Sequence, residues 1–246
     1  MTLRAARRAV ALGVALSGSV LRYWWRRVRG PLSLEERALW MQDAGKRVLA
    51  GLGIRYRIEG RPPSRGVVVA NHLSYLDIVI LSAAMPCFFV AKAEIRAWPF
   101  FGKAARTGGT LFIDRGSLAS AEKVASLIAK RLELPVPVLF FPEGTSTDGS
   151  SVHRFHSRLF EPAVRAGAPV TAAALRYVLT NGATERDLCW FGDDAFLPHL
   201  GRTLGTEDFT AEVKFGEPHI YADRRTAANS TRAEVAAMRE AELVVQ

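Results

Sequence analysis

The chain has 246 residues, 49% hydrophobic and 23% charged, which suits one α/β domain large enough to enclose a core. Seven of its 33 basic residues, Arg4 to Arg29, precede position 30, and the first acidic residue is Glu35, so 26 basic residues face 24 acidic ones in the remainder. That balance argues against nucleic acid as a partner, which favours basic residues spread over a face with stacking aromatics, and two isolated cysteines, Cys87 and Cys189, exclude a disulfide framework.

Residues 1–30 form a basic, apolar segment of their own. Ala9 to Leu21 carries no charge for thirteen residues, short of the roughly 20 a membrane-spanning helix needs. Leu12, Leu16, Val20 and Trp24 recur every fourth residue, one stripe of a helix. Trp24 and Trp25 beside Arg26, Arg27 and Arg29 suit a headgroup interface. A cleaved signal peptide also fits the charged start and short apolar run, but "RYWWRRVRG" opposes translocation. An amphipathic core helix leaves the arginines unexplained. The expectation is a membrane anchor over 1–30, peripheral or a single N-terminal helix, on the cytoplasmic face of an inner membrane, with 31–246 as the folded body.

Ser33-Leu-Glu-Glu36 has capping-box form and opens a helix to about Ala50, ended by Gly51 and Gly53. Strand-like runs at 54–60, 66–70, 87–91, 109–114, 137–141 and 169–175 predict strands. Leu76–Ala84, Pro99–Ala105, Leu118–Leu132, Ser157–Ala166 and a closing segment from Thr226 to Val245 predict helices. Near-continuous apolar strands alternating with helices predict an α/β fold, a mostly parallel sheet with helices on both faces. No element is predicted over 181–209.

In open α/β sheets, chemistry gathers at the carboxyl ends of the strands. Four stretches fall there. "NHLSYLD" puts His72 just after a buried strand and Asp77 in the first turns of the next helix, so the carboxylate can fold back on the imidazole. Such a pair fixes the tautomer and leaves the other ring nitrogen basic; a helix cap beside a dipole-complementing aspartate is the plainer reading. Ser74 lacks the GxSxG elbow of a nucleophile. "FPEGTS" (141–146) turns tightly at Glu143-Gly144, either a bend or a cradle of N–H groups for an oxyanion. "GTLFIDR" ends a strand on Arg115, a guanidinium shaped for phosphate or an ion-pair partner for Asp114 or Glu143. "KAEIRAWPFFGKAARTGG" gathers Lys92, Arg96, Lys103 and Arg106, ordinarily a solvated face. No His/Cys/Asp cluster stands at metal-ligand spacing.

Taken together, these stretches resemble the glycerolipid acyltransferase family, the bacterial 1-acylglycerol-3-phosphate acyltransferases and their relatives. Asn71, His72 and Asp77 match its first block, Gly109 to Arg115 its second, and Phe141 to Thr145 its third. The fourth, a proline-containing apolar strand, is met only in part, by Pro169. The resemblance implies His72 and Asp77 as the catalytic pair, with no acyl-enzyme intermediate. It implies Arg115, Glu143, Gly144, Thr145 and Lys92 as the acceptor site, with Arg115 on a phosphate. It also implies acyl-CoA or acyl carrier protein as the thioester donor, no cofactor, and membrane lipids as partners. Two departures bear on the acceptor. Ser146 stands where many lysophosphatidate-acylating relatives have arginine, and His156-Ser157 replaces a common lysine–glycine pair. Lysophosphatidate is the expected acceptor, with another lysolipid such as lyso-ornithine lipid as the alternative. The rivals from other classes are a thioester hydrolase and a non-catalytic membrane adaptor.

Overall fold

The computed structural model describes residues 2–98, 101–114, 116, 118–179 and 182–241. In chain order the first half comprises α1 (Leu3–Val28), α2 (Leu34–Leu52), β1 (Arg55–Glu59), β2 (Val67–Ala70), α3 (Leu76–Ala84), β3 (Phe88–Lys92) and α4 (Phe101–Thr107). The second half comprises β4 (Leu111–Ile113), α5 (Leu118–Leu132), β5 (Val138–Phe140), α6 (Glu161–Arg165), β6 (Val170–Leu179), α7 (Phe196–Gly205), β7 (Phe209–Phe215) and α8 (Arg224–Glu240). All six expected strands are present. The strand β7, absent from the expectation, is a seventh.

The strands form one sheet in the order β1-β7-β6-β2-β5-β3-β4. Every neighbouring pair is parallel except β6–β7. Side chains alternate across each strand, so its two faces feed two cores. Val68, Ala70, Leu139, Leu175 and Tyr177 face one core, shared with α1, α2, α3 and α7. Val67, Val69, Val138, Phe140 and Ala172 face the other, shared with α5, α6 and α8. Strands buried on both faces need the continuous apolar runs seen in the sequence.

The helix α2 starts on the expected capping box. Ser33 Oγ accepts from Glu36 N–H at 3.2 Å and Glu36 Oε2 accepts from Ser33 N–H at 2.7 Å. It runs through Gly51 and stops at Gly53, whose φ of 68° is left-handed. The expected helix at Ser157–Ala166 begins instead as a 3₁₀ turn, Ser157–Phe160, that continues into α6. The closing helix begins at Asp223, whose carboxylate caps it; its expected last residues, 242–245, lie outside the described ones, as does the expected start of α4 at Pro99.

The N-terminal helix corrects part of the reading of its arginines and its stripe. Arg8 turns inward, ion-paired to Asp208 at 2.7 Å and donating to the Leu204 and Thr206 carbonyls. Burial holds its guanidinium below its ordinary pKa. Trp40 of α2 donates to the Ser19 carbonyl at 2.9 Å. Of the stripe Leu12, Leu16, Val20 and Trp24, the first two pack on the core and the last two are exposed. The outward strip is instead Leu3, Val10, Val14, Leu21, Trp25 and Val28, spaced by seven, four or three residues and so on one helix face. Among the described residues, no helix is long and apolar enough to cross a membrane.

Candidate active site

The parallel strands β2, β5, β3 and β4 end at one edge of the sheet, since Val69 pairs with Phe140 and Lys92 with Ile113. The chain leaves β2 through Asn71 and His72, β5 through Phe141 to Glu143, and β4 through Asp114. Lys92 closes β3 there and is exposed. Arg115, one residue beyond Asp114, lies outside the described residues.

His72 Nδ1 lies 2.7 Å from Asp77 Oδ2. The bend between β2 and α3 makes the approach possible. Leu73 N–H and Ser74 N–H donate to the same oxygen at 2.6 and 3.0 Å, and Asp77 N–H donates to the Ser74 carbonyl at 3.1 Å. The aspartate therefore both closes the loop that precedes α3 and partners the imidazole; α3 itself starts at Tyr75 without a side-chain cap. Tyr177 donates its hydroxyl to the other oxygen, Oδ1. The Asp77 side chain is 0% exposed and His72 is 19% exposed, so the carboxylate is sealed while the ring reaches the surface. The ring stacks on Phe141, centroids 4.0 Å apart and planes 12° apart, which restricts its rotation.

The rest of the first block is a set of braces. Asn71 exchanges two hydrogen bonds with Leu175 of β6, at 2.8 and 3.2 Å. Thr147 N–H donates to the His72 carbonyl at 2.9 Å, and Trp190 N–H to the Leu73 carbonyl at 2.8 Å. Ser74 is fully buried and its Oγ has no partner among the described residues, which removes it as a nucleophile.

The sequence reading places Glu143 on the acceptor; its carboxylate is 5% exposed and held by backbone. Oε1 accepts from His72 N–H and Oε2 from His153 N–H, each at 2.8 Å. Burial pushes this carboxyl above the usual glutamate range, and the two N–H donors partly offset the rise. Glu143 thereby ties the loop carrying His72 to the loop carrying His153. The Glu143→Gln variant offers one oxygen to two fixed donors and turns an NH₂ toward the other. That mismatch costs about 1–3 kcal/mol, a fall in melting temperature of about 2–12 °C, and thermal denaturation checks it.

The expected oxyanion cradle is corrected. Gly144, with φ at 79°, makes the tight turn, but its N–H donates to the Phe141 carbonyl at 3.1 Å. The N–H groups of Leu73 and Ser74 are taken by Asp77. A tight turn after a strand closes its own hydrogen bond, and the aspartate gathers the loop before α3, so the N–H groups of Gly144, Leu73 and Ser74 are already engaged. Thr145, next along, is exposed at the same edge.

Sequence reasoning did not identify Tyr177, Phe141 as a stacking partner, or His153 as a backbone partner. Only Tyr177 carried a signal, as a phenol within a mostly apolar strand, because a buried hydroxyl requires a partner.

Comparison with known proteins gives the family. The Acyltransferase family model matches residues 54–176. The chain is 39% identical over 173 residues to the lyso-ornithine lipid O-acyltransferase of Pseudomonas aeruginosa, covering 70% of this chain and 66% of that protein, just under two thirds of its length. It is 42% identical over 176 residues to the 1-acyl-sn-glycerol-3-phosphate acyltransferase of Neisseria gonorrhoeae, covering 70% of this chain and 68% of that one. The crystal structure of the 1-acyl-sn-glycerophosphate acyltransferase PlsC from Thermotoga maritima superposes with a TM-score of 0.72 at 20% identity, over 99% of this chain and 97% of that one, a likeness of fold. The histidine, its sealed aspartate and the Phe-Pro-Glu-Gly-Thr turn all fall inside the matched span, and the chain belongs to the acyltransferase family.

Proposed function

We propose that the chain transfers a fatty acyl group from a thioester, acyl-CoA or acyl carrier protein, to the free hydroxyl of 1-acyl-sn-glycerol-3-phosphate, giving phosphatidic acid. The observation that carries this reading is the 2.7 Å contact between a sealed carboxylate and a partly exposed imidazole at the carboxyl edge of the sheet. With Nδ1–H directed at Asp77, Nε2 holds the free lone pair. It takes the proton of the lysolipid hydroxyl as that oxygen bonds to the thioester carbonyl carbon. Collapse of the tetrahedral adduct breaks the C–S bond, and the imidazolium returns the proton to the departing thiolate. Asp77 orients the ring and steadies the imidazolium. The burial of Ser74 supports direct transfer with no acyl-enzyme. Arg115, Lys92, Gly144 and Thr145 are assigned to the acceptor headgroup, with Glu143 bracing the loop between them.

A second acceptor, lyso-ornithine lipid, is favoured by Ser146, which offers no cation to a phosphomonoester at the position after the Phe-Pro-Glu-Gly-Thr turn. It is also favoured by the name of the Pseudomonas relative. Purified protein offered a labelled thioester and a panel of lysolipids decides by the mass of the product. Phosphatidic acid supports the first acceptor and diacylated ornithine lipid the second. Rapid thioester loss without any lysolipid supports a hydrolase instead.

The outward strip of α1, with Arg4, Arg7, Arg22, Arg26 and Arg27 exposed around it, supports a helix lying in the interface of the cytoplasmic leaflet. A 26-residue helix spans about 39 Å of such a surface. Leu21→Ser/Trp25→Ser removes two exposed apolar side chains and leaves the core contacts intact. It weakens partitioning into phosphatidylglycerol-containing vesicles by about tenfold or more, measured by sedimentation, with an unchanged melting temperature. Full retention on the vesicles counts against the anchor.

A further inference from the structure

The Asp77 carboxylate is asymmetric in its partners. Oδ2 takes three donors, from His72, Leu73 and Ser74. Oδ1 takes the Tyr177 hydroxyl, a hundred residues away in the chain. Three donors at one oxygen fix where that oxygen sits, but they act like a pivot. The donor at the other oxygen sets the rotation of the carboxylate plane, and with it the direction of the Oδ2 lone pair toward His72 Nδ1. Tyr177 is well placed for this. It lies on β6, 3% exposed, with its ring edge-on to Phe209 at 5.8 Å. Its backbone is held in turn. Tyr177 N–H donates to Glu185 Oε1 at 2.8 Å, and Arg239 of α8 is bonded to Glu185 Oε2 at 2.7 Å and to the Gly149 carbonyl at 2.8 Å. Burial, and then the Asp77 charge, push the phenol well above its ordinary pKa, so it stays a donor.

We infer that Tyr177 is a positioning residue of the catalytic pair, its hydroxyl aligning the Asp77 carboxylate that orients and polarises His72. The inference deepens the proposed reaction and rests on His72 being its base. Nothing in the local sequence around His72 supplies this group, and the resemblance that identified the pair assigns Tyr177 no role.

The test is chosen to need no turnover. Diethyl pyrocarbonate carbethoxylates unprotonated imidazole, and peptide mass separates His72 from the other four histidines. Tyr177→Phe keeps the ring and its contact with Phe209. Without the hydroxyl donor the carboxylate plane turns about Oδ2 and its lone pair leaves the line to Nδ1, so the imidazolium loses support and the pH midpoint of His72 modification moves down. Phe209→Leu loosens the packing around the Tyr177 ring but keeps the hydroxyl, and it leaves that midpoint in place. In turnover, Tyr177→Phe lowers kcat about tenfold, with both KM values within about twofold, as expected for a group acting through the base. A midpoint unmoved or raised by Tyr177→Phe, or moved equally by Phe209→Leu, overturns the inference. A wild-type protein that acylates no lysolipid, yet shows the shifted midpoint in Tyr177→Phe, sinks the proposed reaction and supports the positioning role.

Discussion

His72→Ala lowers acyl transfer by about 10²–10⁴ while leaving the protein folded. The expectation of a large catalytic effect with a small structural one follows from how the ring is held. The imidazole lies over Phe141 and reaches the surface, so its removal opens no cavity in either core. Asp77 keeps three of its four donors, the Leu73 and Ser74 amides and the Tyr177 hydroxyl. The backbone of residue 72 keeps its bonds to Glu143 and Thr147, which do not depend on the side chain. What disappears is the base. Initial rates with a saturating lysolipid and a labelled thioester, beside a thermal melt, measure both halves. Retention of a tenth or more of the wild-type rate would mean that proton abstraction belongs to another group. A variant that kept full biological function would favour the adaptor reading.

The site was legible in the sequence where its geometry is local. His72 and Asp77 are five residues apart across one bend, and the apolar run of β2 followed by a helical period is enough to place both at a strand's carboxyl end. The inner strands β2, β5 and β6 were legible for the same reason, since a two-faced burial leaves an apolar signature; the edge strand β1 is mostly exposed. The losses came from contacts that close over long stretches of chain. Arg8 reads as one of seven terminal cations, but its partner Asp208 lies two hundred residues on. The Glu143 carboxylate reads as free for a ligand, but two backbone amides from loops on either side of it in the sequence claim it. The strand β7 is a different kind of miss. Phe209, Ala211, Val213 and Phe215 alternate with Thr210, Glu212 and Lys214, a period-two pattern that was present to be read. Glu212 and Lys214 are nevertheless buried, with Arg176, Arg57 and Glu59 as charged neighbours. Charges at alternate positions suggest a solvated face, and here neighbouring strands supply the counter-charges.

Substitution of Asp77 separates charge from support. The pocket around its carboxylate presents only donors, two of them backbone amides that cannot turn. In Asp77→Asn the amide oxygen therefore takes the Oδ2 place against Leu73, Ser74 and His72, and the NH₂ faces Tyr177, whose hydroxyl rotates to accept. Shape, tautomer and the bonds to the preceding loop survive, while the negative charge that steadies the imidazolium does not. The expected result is a fall in kcat of about 10²–10³ with little loss of stability. Asp77→Ala removes the support as well. It leaves two buried amides and the Tyr177 hydroxyl without an acceptor, a loss of about 3–5 kcal/mol and thus of about 6–20 °C in melting temperature. Its rate falls at least as far as that of Asp77→Asn. Parallel melts and initial rates on the two variants distinguish the contributions. If Asp77→Asn matched the wild-type rate, the carboxylate would be a brace for the loop before α3 that happens to touch an imidazole, and the charge would have no part in the chemistry.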